Sequence, residues 1–148
     1  MTNSNRTSTP RQIFQMLMVI LCLSLMATAC EDDDANALAP KSVGGLSYEI
    51  IVNSGASPLA STGSAIISFR NDGTYVVDGD DQNIDDDQGT FTYQRLSNIN
   101  GRIELVSTQS AYFKVTYTFA YTTVENGNFT AVLDDNPAIT QQGSFFNR

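Results

Sequence analysis

Six aspartates fall within the ten positions from Asp78 to Asp87, the densest set of potential ligating groups in this 148-residue chain. Asp81, Asn83 and Asp85 have the one-three-five spacing of a calcium loop. The pattern then fails, because Asp86 stands where the sharp turn needs glycine and Thr92 where a bidentate glutamate should close the loop. A solvated, self-repelling hairpin tip without metal is the expected reading. Glycoside hydrolysis would need two carboxylates converging in one cleft. Glu49 and Glu104 fall on outward strand positions and Glu125 in a turn, so nothing in the pattern brings a pair together. The chain has no histidine, and its cysteines, Cys22 and Cys30, both precede the β-prone region. Ser-His and Cys-His nucleophiles and His-ligated zinc therefore have no raw material there. The expectation is a protein that is not an enzyme, with no catalytic residue, no metal site and no cofactor.

Charge narrows the partners. The formal net charge is −8. Loss of residues 1–29 would remove Arg6 and Arg11 and take it to −10. Phosphate backbones repel such a surface, so nucleic acid is excluded as an expected partner.

The N-terminus opens with Arg6 and Arg11, has no acid before Glu31, and continues with an apolar run from Ile13 to Met26. The small residues Ala27, Thr28 and Ala29 lead to Cys30. A basic start, a short apolar stretch and a small-residue exit compose a secretory signal. The run is shorter than the roughly 20 residues that cross a bilayer core, so an uncleaved anchor is the lesser alternative. Ala27-Thr28-Ala29-Cys30 resembles the lipobox of bacterial lipoproteins, with Ala27 at the position most often held by leucine. The resemblance implies cleavage before Cys30 and lipidation of its thiol. It places the protein in the bacterial cell envelope, expected at the outer membrane with the periplasmic or surface face open. A plain signal-peptidase cut at Ala27-x-Ala29 is the alternative and keeps only the export. Two or more acyl chains would hold the protein on the membrane stably. Residues 30–44 begin Glu31-Asp32-Asp33-Asp34 and carry no apolar periodicity, which predicts an acidic flexible tether.

Residues 45–148 predict a single all-β domain. Short alternating runs appear over Leu46 to Val52, Ala65 to Phe69, Thr74 to Val77, Gln88 to Gln94, Arg102 to Ser107, Tyr112 to Tyr121, Asn128 to Leu133 and Gln142 to Phe146. Asn71-Asp72-Gly73 marks a tight turn, and Asp134 to Pro137 reads as a break. About eight antiparallel strands with hairpin-length connections form an up-and-down meander, closing as a barrel or packing as a two-sheet sandwich. Phe69-Arg70-Asn71-Asp72-Gly73-Thr74-Tyr75, Gly89-Thr90-Phe91-Thr92-Tyr93 and Gly143-Ser144-Phe145 resemble motifs of small lipocalin-like domains in bacterial lipoproteins. That family implies the barrel and no shared catalytic set. Each motif has glycine, a hydroxyl residue and an aromatic, which reads as a glycine ending a turn before the core face begins. Tyr48, Phe69, Tyr75, Phe91, Tyr93, Phe113, Tyr117, Phe119 and Phe145 are expected on the inner face. A core filled by these rings leaves a non-catalytic interaction or assembly module with an unknown protein partner. A cavity among them makes the domain a binder of a small apolar ligand.

Overall fold

The computed structural model describes residues 36–79, 83–109 and 113–148. The expected signal segment, Cys30 and its acidic neighbours lie outside the described residues, as do Asp80, Asp81 and Tyr112. The described chain belongs to one compact unit, Ala35–Arg148.

Hydrophobic alternation of period two builds eight strands: β1 (Ser47–Gly55), β2 (Gly63–Phe69), β3 (Thr74–Gly79), β4 (Asp87–Arg95), β5 (Asn100–Ser107), β6 (Lys114–Tyr121), β7 (Asn126–Leu133) and β8 (Asn136–Asn147). All neighbours are antiparallel, and their order is β1 to β8 in sequence, closed into a barrel. Closure is made by β1 and β8, from Tyr48↔Asn147 to Gly55↔Gln141, with an irregularity between Val52 and Ser54. That ladder excludes the two-sheet sandwich and leaves no free sheet edge.

The expected faces are the observed ones. Tyr48, Ile50 and Val52 of β1 are buried, as are Ala65, Ile67 and Phe69 of β2, and Phe129, Ala131 and Leu133 of β7. The best-supported hairpin is closed as its sequence requires. Gly73 takes φ +83°, and Asp72 Oδ1 accepts from the Thr74 backbone N–H at 3.0 Å and the Thr74 hydroxyl at 2.6 Å. Those two bonds hold the Asp72 carboxyl below its usual range.

Three boundaries are corrected. β1 runs three residues past Val52 because its tail keeps pairing with Gln142 and Gln141 of β8. The break at Asp134 to Pro137 is only two residues long, since β8 already starts at Asn136. Pro137 is tolerated there because the β7–β8 register jumps from Leu133↔Asn136 to Val132↔Thr140, so no ladder needs its missing N–H.

The third correction concerns the tether. Residues 36–44 were expected to be flexible and are instead packed on the barrel. Ala39 and Val43 are buried, with Val43 wholly inaccessible, and Leu38 lies against the core. Asn98 O accepts from the backbone N–H groups of Leu38 (2.8 Å) and Ala39 (2.9 Å), and Tyr93 donates its hydroxyl to Pro40 O at 2.6 Å. Composition hid this because the stretch has only a few apolar residues, but each of them finds the same end of the barrel.

Candidate ligand-binding cavity

The two ends of the barrel differ, and the inner residues of each strand explain why. From the end holding residues 36–46 toward the opposite end, β1 reads Tyr48, Ile50, Val52 and β2 reads Phe69, Ile67, Ala65. In the same direction β3 reads Tyr75, Val77; β6 reads Tyr121, Phe119, Tyr117, Val115; and β7 reads Phe129, Ala131, Leu133. β4 ends on Gly89 and Asp87, and β8 on Gly143 and Gln141. Rings thus give way to aliphatic, small and polar side chains along the axis; β5 alone supplies no ring.

The ring-rich half is occupied by packed rings. Tyr48 sits within 5.2–6.5 Å, centroid to centroid, of Phe69, Phe119, Tyr121 and Phe145. Phe119 meets Phe145 edge-on at 4.9 Å. The hydroxyls of Tyr48 and Tyr121 share a buried 2.8 Å hydrogen bond. Glycines make room for the rings. A Cβ on Gly127 would stand 2.8 Å from the Phe145 ring, and one on Gly143 the same distance from Phe129. Each pair is also a register pair across β7 and β8. The glycine motifs therefore divide: Gly73 ends a turn as expected, whereas Gly89 and Gly143 lie inside strands, facing rings of the neighbouring strand.

The other half encloses a cavity of about 310 Å³. Ile50, Ile67, Val77, Leu105 and Val115 form its apolar wall, Tyr75, Tyr117 and Phe113 add aromatic faces, and Leu59 reaches in from the β1–β2 connection. A filled interior was the leading expectation; it describes one half of the barrel and not the other.

A small set of polar groups converges on this cavity. Asp87, the first residue of β4, accepts a 2.6 Å hydrogen bond from the Tyr75 hydroxyl at Oδ2 and another of 2.6 Å from Ser107 at Oδ1. Ser107 Oγ in turn accepts from the Gln109 backbone N–H at 3.1 Å. Burial first, and then the Asp87 carboxylate, push the Tyr75 phenol well above its ordinary value of 10.0. Tyr117 is raised for the same two reasons. Both phenols therefore stay protonated. Gln141 is 5% exposed; its amide donates to Ala60 O at 3.0 Å, while its Oε1 is buried without a partner.

Glu49 and Glu104 lie on the outer wall as expected, paired with Arg148 (2.8 Å) and Lys114 (3.1 Å) respectively. Glu125 lies in the β6–β7 turn. Of the calcium pattern, Asn83 and Asp85 border the cavity, Asp81 falls outside the described residues, and among the described residues no three acidic side chains gather as metal ligands. Asp87, Ser107 and Gln141 were missed because each was read as part of a polar tip or strand end. Their signal is parity: counting by twos from Phe91, Leu105 and Phe145 puts all three on the inner face.

Comparison with protein-family models, curated proteins and solved structures returns no match. The fold defines a closed, eight-stranded, up-and-down β-barrel.

Proposed function

We propose that the protein is a lipid-anchored lipoprotein of the bacterial envelope, attached through Cys30, whose barrel holds one small, largely apolar ligand without transforming it. The cavity carries this reading. Its volume lies at the lower end of the range for small-molecule sites, and its make-up, an apolar wall with a few convergent polar groups, is what such sites have in common. Anchoring suits the geometry: the chain meets the barrel at Leu38 and Ala39, whose backbone N–H groups donate to Asn98 O at the ring-filled end. Lipid on Cys30 would hold that end within about 30 Å of the membrane surface, at the longest extension of the residues between Cys30 and Leu38. The cavity mouth lies at the other end of the barrel, where a ligand would enter from the aqueous phase.

The neutral fluorophore indole, small enough for this cavity and readable because the chain has no tryptophan, tests the binding. Saturable one-to-one enhancement, lost when Val115→Phe fills the cavity without lowering Tm, is the expected result. An equal response from the filled variant would remove the ligand from the barrel. Membrane fractionation of Cys30→Ala, with intact mass of the wild type, tests the anchor. An unmodified thiol at Cys30 would dismiss it.

The second reading, an interaction module for an unknown protein, has its own support. Leu96, Ile99 and Val124 are 45–60% exposed on loops at the ring-filled end. Loss of a co-purifying protein on changing these three to serine, with fluorophore binding intact, would favour that role.

A further inference from the structure

We infer that the ligand is a small organic cation, an ammonium group on an apolar body, with its charged head set against Asp87. This rests on the ligand-binding reading and narrows it.

The polar groups of the cavity offer acceptors where a ligand would look for donors. The hydroxyls of Tyr75 and Ser107 already donate to the two oxygens of Asp87. A carboxylate oxygen has a second lone-pair site, so Asp87 can accept further bonds. A ligand head that meets this carboxylate has to bring its own donors, since the neighbouring hydroxyls already donate to it.

Charge selects among donors. The ion pairs seen among the described residues all lie on the outer wall: Lys114 with Glu104 and Asp134, and Arg148 with Glu49. None of them involves Asp87. Asp85 and Asp86 also border the cavity. More broadly, Arg70, Arg95, Arg102 and Arg148 lie toward the ring-filled end with Glu49, Asp72 and Glu125, whereas Asp78, Asp85, Asp86, Asp134 and Asp135 lie with Asp87 toward the mouth. Against these stands the single cation Lys114 among the described residues there, itself held by Glu104 and Asp134. The mouth therefore concentrates cations and repels anions. An ammonium brings three donors and no acceptor, and the faces of Tyr75, Tyr117 and Phe113 suit a cation as well as an apolar chain. The volume corresponds to roughly ten liquid waters, which limits the guest to about ten non-hydrogen atoms.

Titration calorimetry of the whole protein with 2-phenylethylamine, 2-phenylethanol and phenylacetate separates the possibilities, because the three share one body and differ in the head. The amine is expected to bind at least tenfold more tightly than the alcohol, the acid not at all, and the amine affinity to fall with added salt. Asp87→Asn should lower the amine affinity far more than the alcohol affinity and so remove most of the preference for the amine. Alcohol or acid binding as well as amine would overturn the cationic assignment and leave the binder reading standing. Failure of all three with retained fluorophore binding would do the same. Failure of the fluorophore too would end both.

Discussion

The hydroxyl of Tyr75 lies 2.6 Å from Oδ2 of Asp87, joining the start of β3 to the start of β4 across the cavity wall. The bond couples a ring of the inner face to a carboxylate that sequence composition assigns to a solvated loop. It fixes Asp87 inside the barrel, and with it the electrostatic sign of the cavity. Tyr75→Phe removes the donor and keeps the ring. A hydrogen bond to a charged group, partly replaced here by water from the cavity, is worth about 1.5 kcal/mol. The melting temperature should therefore fall by roughly 6–12 °C. Thermal unfolding followed by far-ultraviolet circular dichroism measures it, and an unchanged midpoint would mean that the bond contributes nothing net.

Alkali should unfold the barrel cooperatively. Tyr48, Tyr75, Tyr117 and Tyr121 are all raised above 10.0, chiefly by burial, and Tyr93 is pushed up to about 12, again chiefly by burial. A phenol is neutral when protonated, so the native state holds these protons more tightly than the unfolded chain does. Their contribution is complete below pH 10.0, the unfolded value, and is lost progressively as pH rises above it. With no tryptophan in the chain, tyrosinate absorbance is easily read. It should rise in one step with the loss of β circular dichroism. Separate ionisation of these phenols in a still-folded barrel would contradict the packing described.

Gly143→Ala should be severe. The added methyl would run into the carbonyl oxygen of Ile51 on β1 and stand 2.8 Å from the Phe129 ring. Overpacking against backbone cannot be relieved by a rotamer change, so a loss of about 3 kcal/mol is expected. Ser144→Ala, one residue along and half-buried, should cost well under 1 kcal/mol, the usual range for surface changes. Chemical denaturation of the two variants provides the comparison.

Val43→Ala tests the packed entry segment. Val43 is wholly buried, and its truncation should cost about 2 kcal/mol. A flexible tether would register no change in Tm. Fluorophore binding should persist, since the segment packs at the end away from the cavity.

Much of the architecture was legible from parity alone. The ten-residue alternation ending at Tyr121 and the Asn71-Asp72-Gly73 turn specify strands and a hairpin without tertiary information, and the structure contains both over the described residues. Barrel and sandwich could not be separated that way, since both bury one face of every strand. The difference lies in the pairing of Ile50 with Phe145, which no local pattern encodes. The cavity was hidden for another reason. A list of inner aromatics has no axial coordinate, whereas in a meander odd strands must be read forward and even strands backward. Read so, Tyr48-Ile50-Val52 and Ala65-Ile67-Phe69 put their rings at one end and their small side chains at the other. Gln141 and Asp87 fall on inner positions by the same count, but glutamine and aspartate on a β-strand are ordinarily taken for solvent-facing residues.

Seven of the eight ladders join strands that follow one another along the chain, and the last joins β1 to β8. Hairpins can form as soon as their second strand emerges, but the ring stays open until the final strand arrives. Until then β1 and β7 each present an unpaired row of amides able to recruit a strand from another molecule. A newly made chain is therefore most prone to self-association just before β8 docks. Nonsense or frameshift changes upstream of Asn136 should yield aggregates in place of a smaller soluble domain.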